Sequence, residues 1–157
     1  MEEKTVKDSS IMIVHQMMHS DANLAGNVHG GVIMKLIDNT AGIVAGRHAG
    51  CNVVTAFIDK LDFHSPVYIG DLLRIQAGIN YVGKTSMEVG VRVEAENHLT
   101  GEVRHTASAY LTFVALDKNG KAIEVPRLKL ETEDEIRRNK AAMGRRDARQ
   151  KMKDAGL

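Results

Sequence analysis

From Gly31 to about Arg47 the chain carries apolar residues at helical spacing, Val32, Ile33, Leu36, Ile37, Thr40 and Val44, and no second convincing long helix precedes the C-terminal region. One amphipathic helix offers one stripe to bury and needs one surface to bury it on. The following segments, 53–63, 71–82, 86–97 and 104–116, are rich in β-branched residues. The third alternates as Met87, Val89, Val91, Val93, Ala95, the period of a half-buried strand. Residues 10–18 read as an earlier strand, and 19–30 as a polar, Gly-containing loop. Connections such as "SPVYIG", "GKT" and "HLTG" suit antiparallel neighbours. The expectation is one helix against a curved antiparallel sheet, then a charged helix from about Thr132.

Composition narrows the class. With 157 residues, 43% of them hydrophobic, the chain suits one domain with a real core. A lone Cys51 excludes an internal disulfide framework and fits a reducing compartment. The polar start "MEEKTVKDSS" and the lack of an apolar run near ~20 residues support neither a signal peptide nor a membrane span, so a soluble cytoplasmic protein is expected. Residues 137–153 hold eight Lys or Arg against Asp147 alone. Without interleaved aromatics, this run reads as a solvated or frayed terminal helix, not a nucleic-acid or membrane surface.

Asp38 is the anomaly of the long helix. On a helical projection it lies roughly opposite the apolar stripe, among Met34, Ala41, Gly42 and Ala45, with Lys35 the only charge nearby. An exposed face normally carries several charges, whereas small residues admit a second backbone. This pattern predicts a helix covered on both sides, by its own sheet and by a partner chain, with a partly buried carboxylate that needs a purpose. The competing reading is that "DNT" (38–40) breaks the helix. The paired Gly30 and Gly31 open the helix and permit close approach of a ligand to first-turn N–H groups, which can hold a developing oxyanion. Asn23 in the feeding loop either positions a water or substrate group or is an ordinary turn residue. His29 reads more readily as a cap or packing residue than as a base. Met17, Met18, Met34 and Phe57 are expected chiefly in the core.

The stretch "SDANLAGNVHGGVIMKLIDNTAG", with Asn23, Gly26, Gly30, Gly31 and Asp38, resembles the signature of the hotdog-fold acyl-CoA thioesterases, in their YciA-like and cytosolic long-chain acyl-CoA hydrolase branch. "LDFHSPVYIGDLLRI", "VGKTSMEVGVRVEAEN", "TFVALDKNGKAIEVP" and "LETEDE" are similar to that branch in order and spacing. The resemblance covers about residues 10–138, not the basic tail. It implies an α+β hotdog fold spanning 10–131, preceded by a polar lead (1–9) and followed by a charged helix or tail (132–157). It further implies hydrolysis of acyl-CoA to coenzyme A and a free acid, with coenzyme A entering only as part of the substrate and no metal or other cofactor. A homodimer would be the minimal unit, often in a trimer of dimers. Asp38 would be the catalytic carboxylate, Asn23 its companion and the N–H near Gly31 the oxyanion donor, with His29 and Gly30 beside the substrate.

Spacing adds a constraint of its own. Gly31 and Asp38 are two helical turns apart, ~10 Å along the axis, while a reacting carbonyl must lie ~3 Å from both donor and attacking group. A two-fold partner with an antiparallel helix resolves this, giving two shared sites per dimer. The "GKTS" turn then offers Lys84, Thr85 and Ser86 to the nucleotide phosphates, or is a plain polar hairpin. Two other functions fit the same residues: a non-catalytic acyl-CoA sensor, and a hotdog dehydratase using His29.

Overall fold

Helix α2 (Gly30–Ala49) runs unbroken through "DNT" and ends at Gly50, whose φ of 70° supplies the left-handed cap. The Thr40 hydroxyl donates to the Leu36 carbonyl at 2.7 Å, so this residue's polar group is satisfied inside the helix. In this computed structural model, which describes residues 2–156, the other elements are β1 (Glu3–Thr5), α1 (Val6–Ser9), β2 (Ile11–Gln16), β3 (Asn52–Phe63), β4 (Leu72–Val82), β5 (Ser86–Glu96), β6 (Val103–Leu116), β7 (Arg127–Lys129) and α3 (Glu133–Asp154). Five strands form one antiparallel sheet in the order β2-β4-β5-β6-β3. The fold class is the expected α+β arrangement, a long helix wrapped by an antiparallel sheet.

The core lies between α2 and the inner face of the sheet. Met87, Val89, Val91, Val93 and Ala95 of β5 are all buried, as their alternation predicts, and meet Ile33, Ile37 and Val44 from the helix. Burying a side chain such as Ile37 contributes about 2 kcal/mol, and truncating it to Ala costs about 2–5 kcal/mol through the cavity left behind. The sheet wraps further round α2 than the apolar stripe suggests. Ala41 and Ala45 are fully buried in the chain's own core, and a Cβ at Gly42 would sit 3.6 Å from Phe113. The small-residue face is therefore covered by β6, not held open for a partner, and Asp38 flanks the buried sector instead of opposing it. Of the four residues expected in the core, Met17 is buried while Met18, Met34 and Phe57 are exposed.

Both ends of the chain are bound to this body. In the lead, Thr5 and Asp8 form a reciprocal capping box on α1, β1 pairs in parallel with β7, and Val6 and Ser9 are buried. Thr132 caps α3, at the residue the sequence predicts. The basic tail departs from the solvated helix expected of it. Arg145 of α3 makes two bonds to Glu88, at 2.9 and 2.8 Å, and lies 3.6 Å over the Tyr110 ring. Asn139 donates to the Asn80 carbonyl at 2.9 Å. The helix crosses the outer face of the sheet because that face carries a nearly buried carboxylate, Glu88, which requires a cation.

Candidate active site

The loop before α2 is built round Asn23. Its Oδ1 accepts from the N–H groups of Ala25 at 2.9 Å and Asn27 at 3.2 Å, and its own N–H donates to the Asn27 carbonyl at 2.7 Å. Gly26 closes the turn at φ 84°, a conformation that costs a side-chain-bearing residue. Asn23 is thus a turn-forming residue whose remaining group for a ligand is its Nδ2 donor. Bridges from Ala22 to Val28 and from Asn27 to Tyr68 fasten the loop.

His29 terminates this loop as the N-cap of α2. Its Nδ1 accepts from the Gly31 N–H at 2.9 Å, so that nitrogen carries no proton and the cap reading holds for this residue. A Cβ on Gly31 would stand 3.1 Å from His29 Nδ1, tight enough that glycine suits the cap. The Gly31 N–H, beside which the oxyanion donor is expected, is therefore engaged on His29 in this chain. Val32 and Ile33 donate to the His29 carbonyl. Among the described residues, the Gly30 N–H is the first-turn donor with no protein acceptor. It has the same polarity and lies one residue away.

Asp38 sits half-buried two turns along, and Thr55 of β3 donates to its Oδ1 at 2.7 Å. Thr55 is a functional candidate that sequence reasoning missed. It faces inward in register with Val53, opposing Phe113, and the strand bulges just beyond it at Ala56, so that Phe57 opposes Thr112. In a regular strand, residues two apart share a face; the extra residue sends Phe57 to the outer face while Thr55 keeps the inner face of Val53. The available signal was a hydroxyl in "VVTAF" at the parity of Val53, within an otherwise apolar segment. The Thr55 bond orients the carboxyl and leaves Oδ2 for chemistry.

One chain thus holds the candidate residues in two clusters, two helical turns or ~10 Å apart. Asp38 and Thr55 form one; Asn23, His29, Gly30 and Gly31 form the other. The "GKTS" turn belongs to the same end of the sheet as the first, because Met87 opposes Phe113, the partner of Thr55, two strand spacings or ~10 Å away. Gly83 donates to the Ser86 carbonyl at 2.8 Å, and the carbonyls of Lys84 and Thr85 accept from Val125 and Ala115. Lys84 is exposed and Thr85 and Ser86 are half-buried. The backbone of the turn is thereby held while the ammonium reaches solvent. Among the described residues, no group of three His, Cys, Asp or Glu is placed to hold a metal, and no helix is long and apolar enough to cross a membrane.

Residues 25–102 match the thioesterase superfamily domain. The chain is 40% identical over 146 residues to the cytosolic acyl coenzyme A thioester hydrolase of Rattus norvegicus; the match covers 92% of this chain and 38% of that one, so the chain spans well under half of that relative. A hexameric acyl-CoA thioesterase solved without ligand superposes with a TM-score of 0.93 at 38% identity, covering 96% of this chain and 97% of that one. The acyl-CoA hydrolase of Staphylococcus aureus, solved with butyryl coenzyme A, coenzyme A and coenzyme A disulfide, superposes with a TM-score of 0.88 at 35% identity, covering 98% and 96%. Variants of that enzyme, each with one Asp, one Asn or one Thr replaced by Ala, have also been solved. The three replaced residues stand at the same separations along the chain as Asp38, Asn23 and Thr55 here.

Proposed function

Because the chain belongs to the thioesterase superfamily, we propose that it hydrolyses acyl-CoA thioesters to coenzyme A and a free carboxylic acid, at two equivalent sites shared between two copies. The Thr55–Asp38 hydrogen bond of 2.7 Å carries this reading, since it orients a half-buried carboxylate that no element of the fold requires. The separations of the residues replaced in the Staphylococcus aureus enzyme support the same trio.

The free edge of β3 supports sharing. Among the described residues its outer side has no partner strand, and Val54, Phe57, Ile58 and Phe63 along it are exposed, an edge that a second copy would pair and cover. Antiparallel pairing of β3 with its copy brings the Thr55 end of one strand to the Phe63 end of the other. Phe63 lies beside the start of α2, 3.8 Å from where a Gly30 Cβ would stand. The same pairing therefore carries Asp38 and Thr55 of one chain towards the Gly30, Gly31 and Asn23 end of the second. Three such dimers would make the hexamer seen in the similar apo thioesterase.

The thioester carbonyl is placed against the first-turn N–H groups, with Gly30 free to donate and Gly31 available once His29 Nδ1 yields. Asp38 Oδ2 acts by taking a proton from an attacking water, or by attacking the carbonyl itself to form an anhydride that water then cleaves. Either way the C–S bond breaks, and the coenzyme A thiolate leaves and takes a proton. Asn23 Nδ2 donates to the water or the substrate, and Lys84 meets the nucleotide phosphates. No metal takes part. The N-cap bond from the Gly31 N–H to His29 Nδ1 favours a cap role for this residue over that of a dehydratase base. The likeness to a cytosolic hydrolase supports a cytoplasmic location. Release of free thiol from a panel of short, long and aromatic acyl-CoAs tests the proposal, with chelator leaving the rate unchanged and Asp38→Asn abolishing it. Binding of acyl-CoA without turnover would instead favour a sensor.

A further inference from the structure

The outer face of the sheet, turned away from α2, carries a bare strip. Gly78 of β4 and Gly90 of β5 stand directly opposite each other in the ladder, on the face opposite to the buried Ile79, Val89 and Val91. Opposed glycines inside two interior strands leave the backbone open to close approach. Ser10 and Asn80 lean over the strip, with side-chain atoms 3.0 and 2.6 Å from where Cβ atoms at Gly78 and Gly90 would stand. Helix α3 passes beside it and presents Arg137, Ala141 and Arg145, four residues apart on one helix face. The small Ala141 leaves the space between the two arginines open. The result is a cavity of about 730 Å³, which Val6 and Met12 also line, a volume in the range that holds a small organic ligand.

Its charge is one-sided. Arg92, Arg137, Arg138 and Arg145 line the cavity, and no Asp or Glu among the described residues does so. Arg145 is neutralised by Glu88 at 2.8 Å. Arg137 and Arg92 meet only Asp134 at 3.2 Å and Glu94 at 3.7 Å, surface pairs that hold little energy. Among the described residues Arg138 has no ion pair. A surplus of guanidinium groups round a concave site concentrates anions there, and each guanidinium offers paired donors that match phosphate oxygens. A singly charged anion would satisfy one arginine, whereas a ligand with several phosphate charges matches the set. We infer that this cavity is a binding site for a small-molecule oligophosphate, its charge held among Arg92, Arg137 and Arg138 and its remaining atoms against Gln76, Ser108 and the Gly78–Gly90 strip. The site lies across the sheet from Asp38 and Thr55, apart from the thioester chemistry, and gives part of the basic run 137–153 a ligand.

Isothermal titration of the intact oligomer with ATP, with inorganic tripolyphosphate and with adenosine, at about 0.15 M ionic strength, tests the site. Both phosphates should bind saturably and adenosine should not. Tighter binding of ATP than of tripolyphosphate assigns the rest of the cavity to the nucleoside, and equal affinity assigns the site to the phosphate chain alone. Arg92→Gln combined with Arg138→Gln should weaken binding by about tenfold or more. Ala141→Glu keeps every arginine, suits a helix and places a carboxylate between Arg137 and Arg145. It should weaken binding to a similar degree, and it serves as the second variant should the double replacement fold poorly. Arg146→Gln, on the same helix but outside the cavity, and Lys84→Ala should leave the affinity within about twofold of the wild type. No saturable binding, or binding undiminished in both cavity variants, would overturn the inference. So would an equal loss in Arg146→Gln, which marks a diffuse effect of the helix's charge, or a loss confined to Lys84→Ala, which places the phosphates at the substrate's site.

Discussion

Mixing two inactive variants should restore activity, and the geometry sets how much. Asp38 and the Gly31 end of α2 are separated by two helical turns, ~10 Å, against the ~3 Å that a reacting carbonyl allows on either side. On the proposed arrangement each site draws Asp38 from one chain and Asn23 from the other. Asp38→Asn removes the reacting carboxylate. Asn23→Asp is the cleaner second variant than Ala, because it keeps an oxygen for the Ala25 and Asn27 N–H groups that hold the loop while deleting the Nδ2 donor. Each homodimer should be nearly inactive. After denaturant dissociation to monomers, equal mixing and refolding, about half of the dimers are mixed, and each mixed dimer holds one site with both defects and one with neither. Thiol release should approach roughly one quarter of the wild-type rate for independent sites. If the residues act within one chain, every site in the mixture keeps a defect and the rate stays at background. That outcome, with heterodimers confirmed by native mass spectrometry, would refute the shared site.

Lys84→Ala should raise KM for acyl-CoA more than it lowers kcat, since a phosphate contact remote from the thioester contributes uniform binding; steady-state kinetics decide it. Arg145→Met strips both bonds from Glu88, a residue only 4% exposed, and should cost about 3 kcal/mol, lowering Tm by about 6–12 °C in calorimetry, while Glu88→Leu combined with Arg145→Met recovers much of the loss. His48 is fully buried with its Nε2 on the Pro126 carbonyl at 2.8 Å. Burial pushes this imidazole below its ordinary 6.5, against the raising effect of that hydrogen bond. The unfolded chain therefore takes up the proton first, so stability is full above about pH 6.5 and falls as pH drops below it towards the folded value. Denaturant titrations across pH 5–8 should show this slope in the wild type and a flatter one in His48→Gln.

The parts of the fold legible from sequence are those written in local periodicity. β5 alternates strictly, and its inward residues are all buried. Thr132, at which the charged helix is expected to begin, caps α3, because caps select residue types that can be read in place. What could not be read joins distant residues. The parallel pairing of β1 with β7 links three residues at each end of the domain, too few to leave a pattern. Glu88 and Asp59 lie 57 and 90 residues before the arginines they bind, so a helix that is docked looks like one that is solvated. The bulge at Ala56 left no turn residue to mark it, and the switch of Phe57 to the outer face could not be read without it.

Asp38 shows how a projection can single out a residue and misjudge its surroundings. The wheel took Ala41, Gly42 and Ala45 as a bare face awaiting a partner, but it carries no information on how far a sheet curls round a helix. Here the sheet reaches past the large apolar residues to the small ones, and Phe113 lies against Gly42. The small side chains let β6 approach closely, which moves Asp38 from the far side of the helix to the border of the core and within reach of Thr55. The surface left uncovered is elsewhere, on β3. Its length, its exposed Val54, Ile58 and Phe63 and its missing outer neighbour make it the strand with most to gain from pairing. A helix packed on its own sheet is still expected to draw on a second chain when its carboxylate and its N-terminal donors are two turns apart, which is the arrangement the mixing experiment tests.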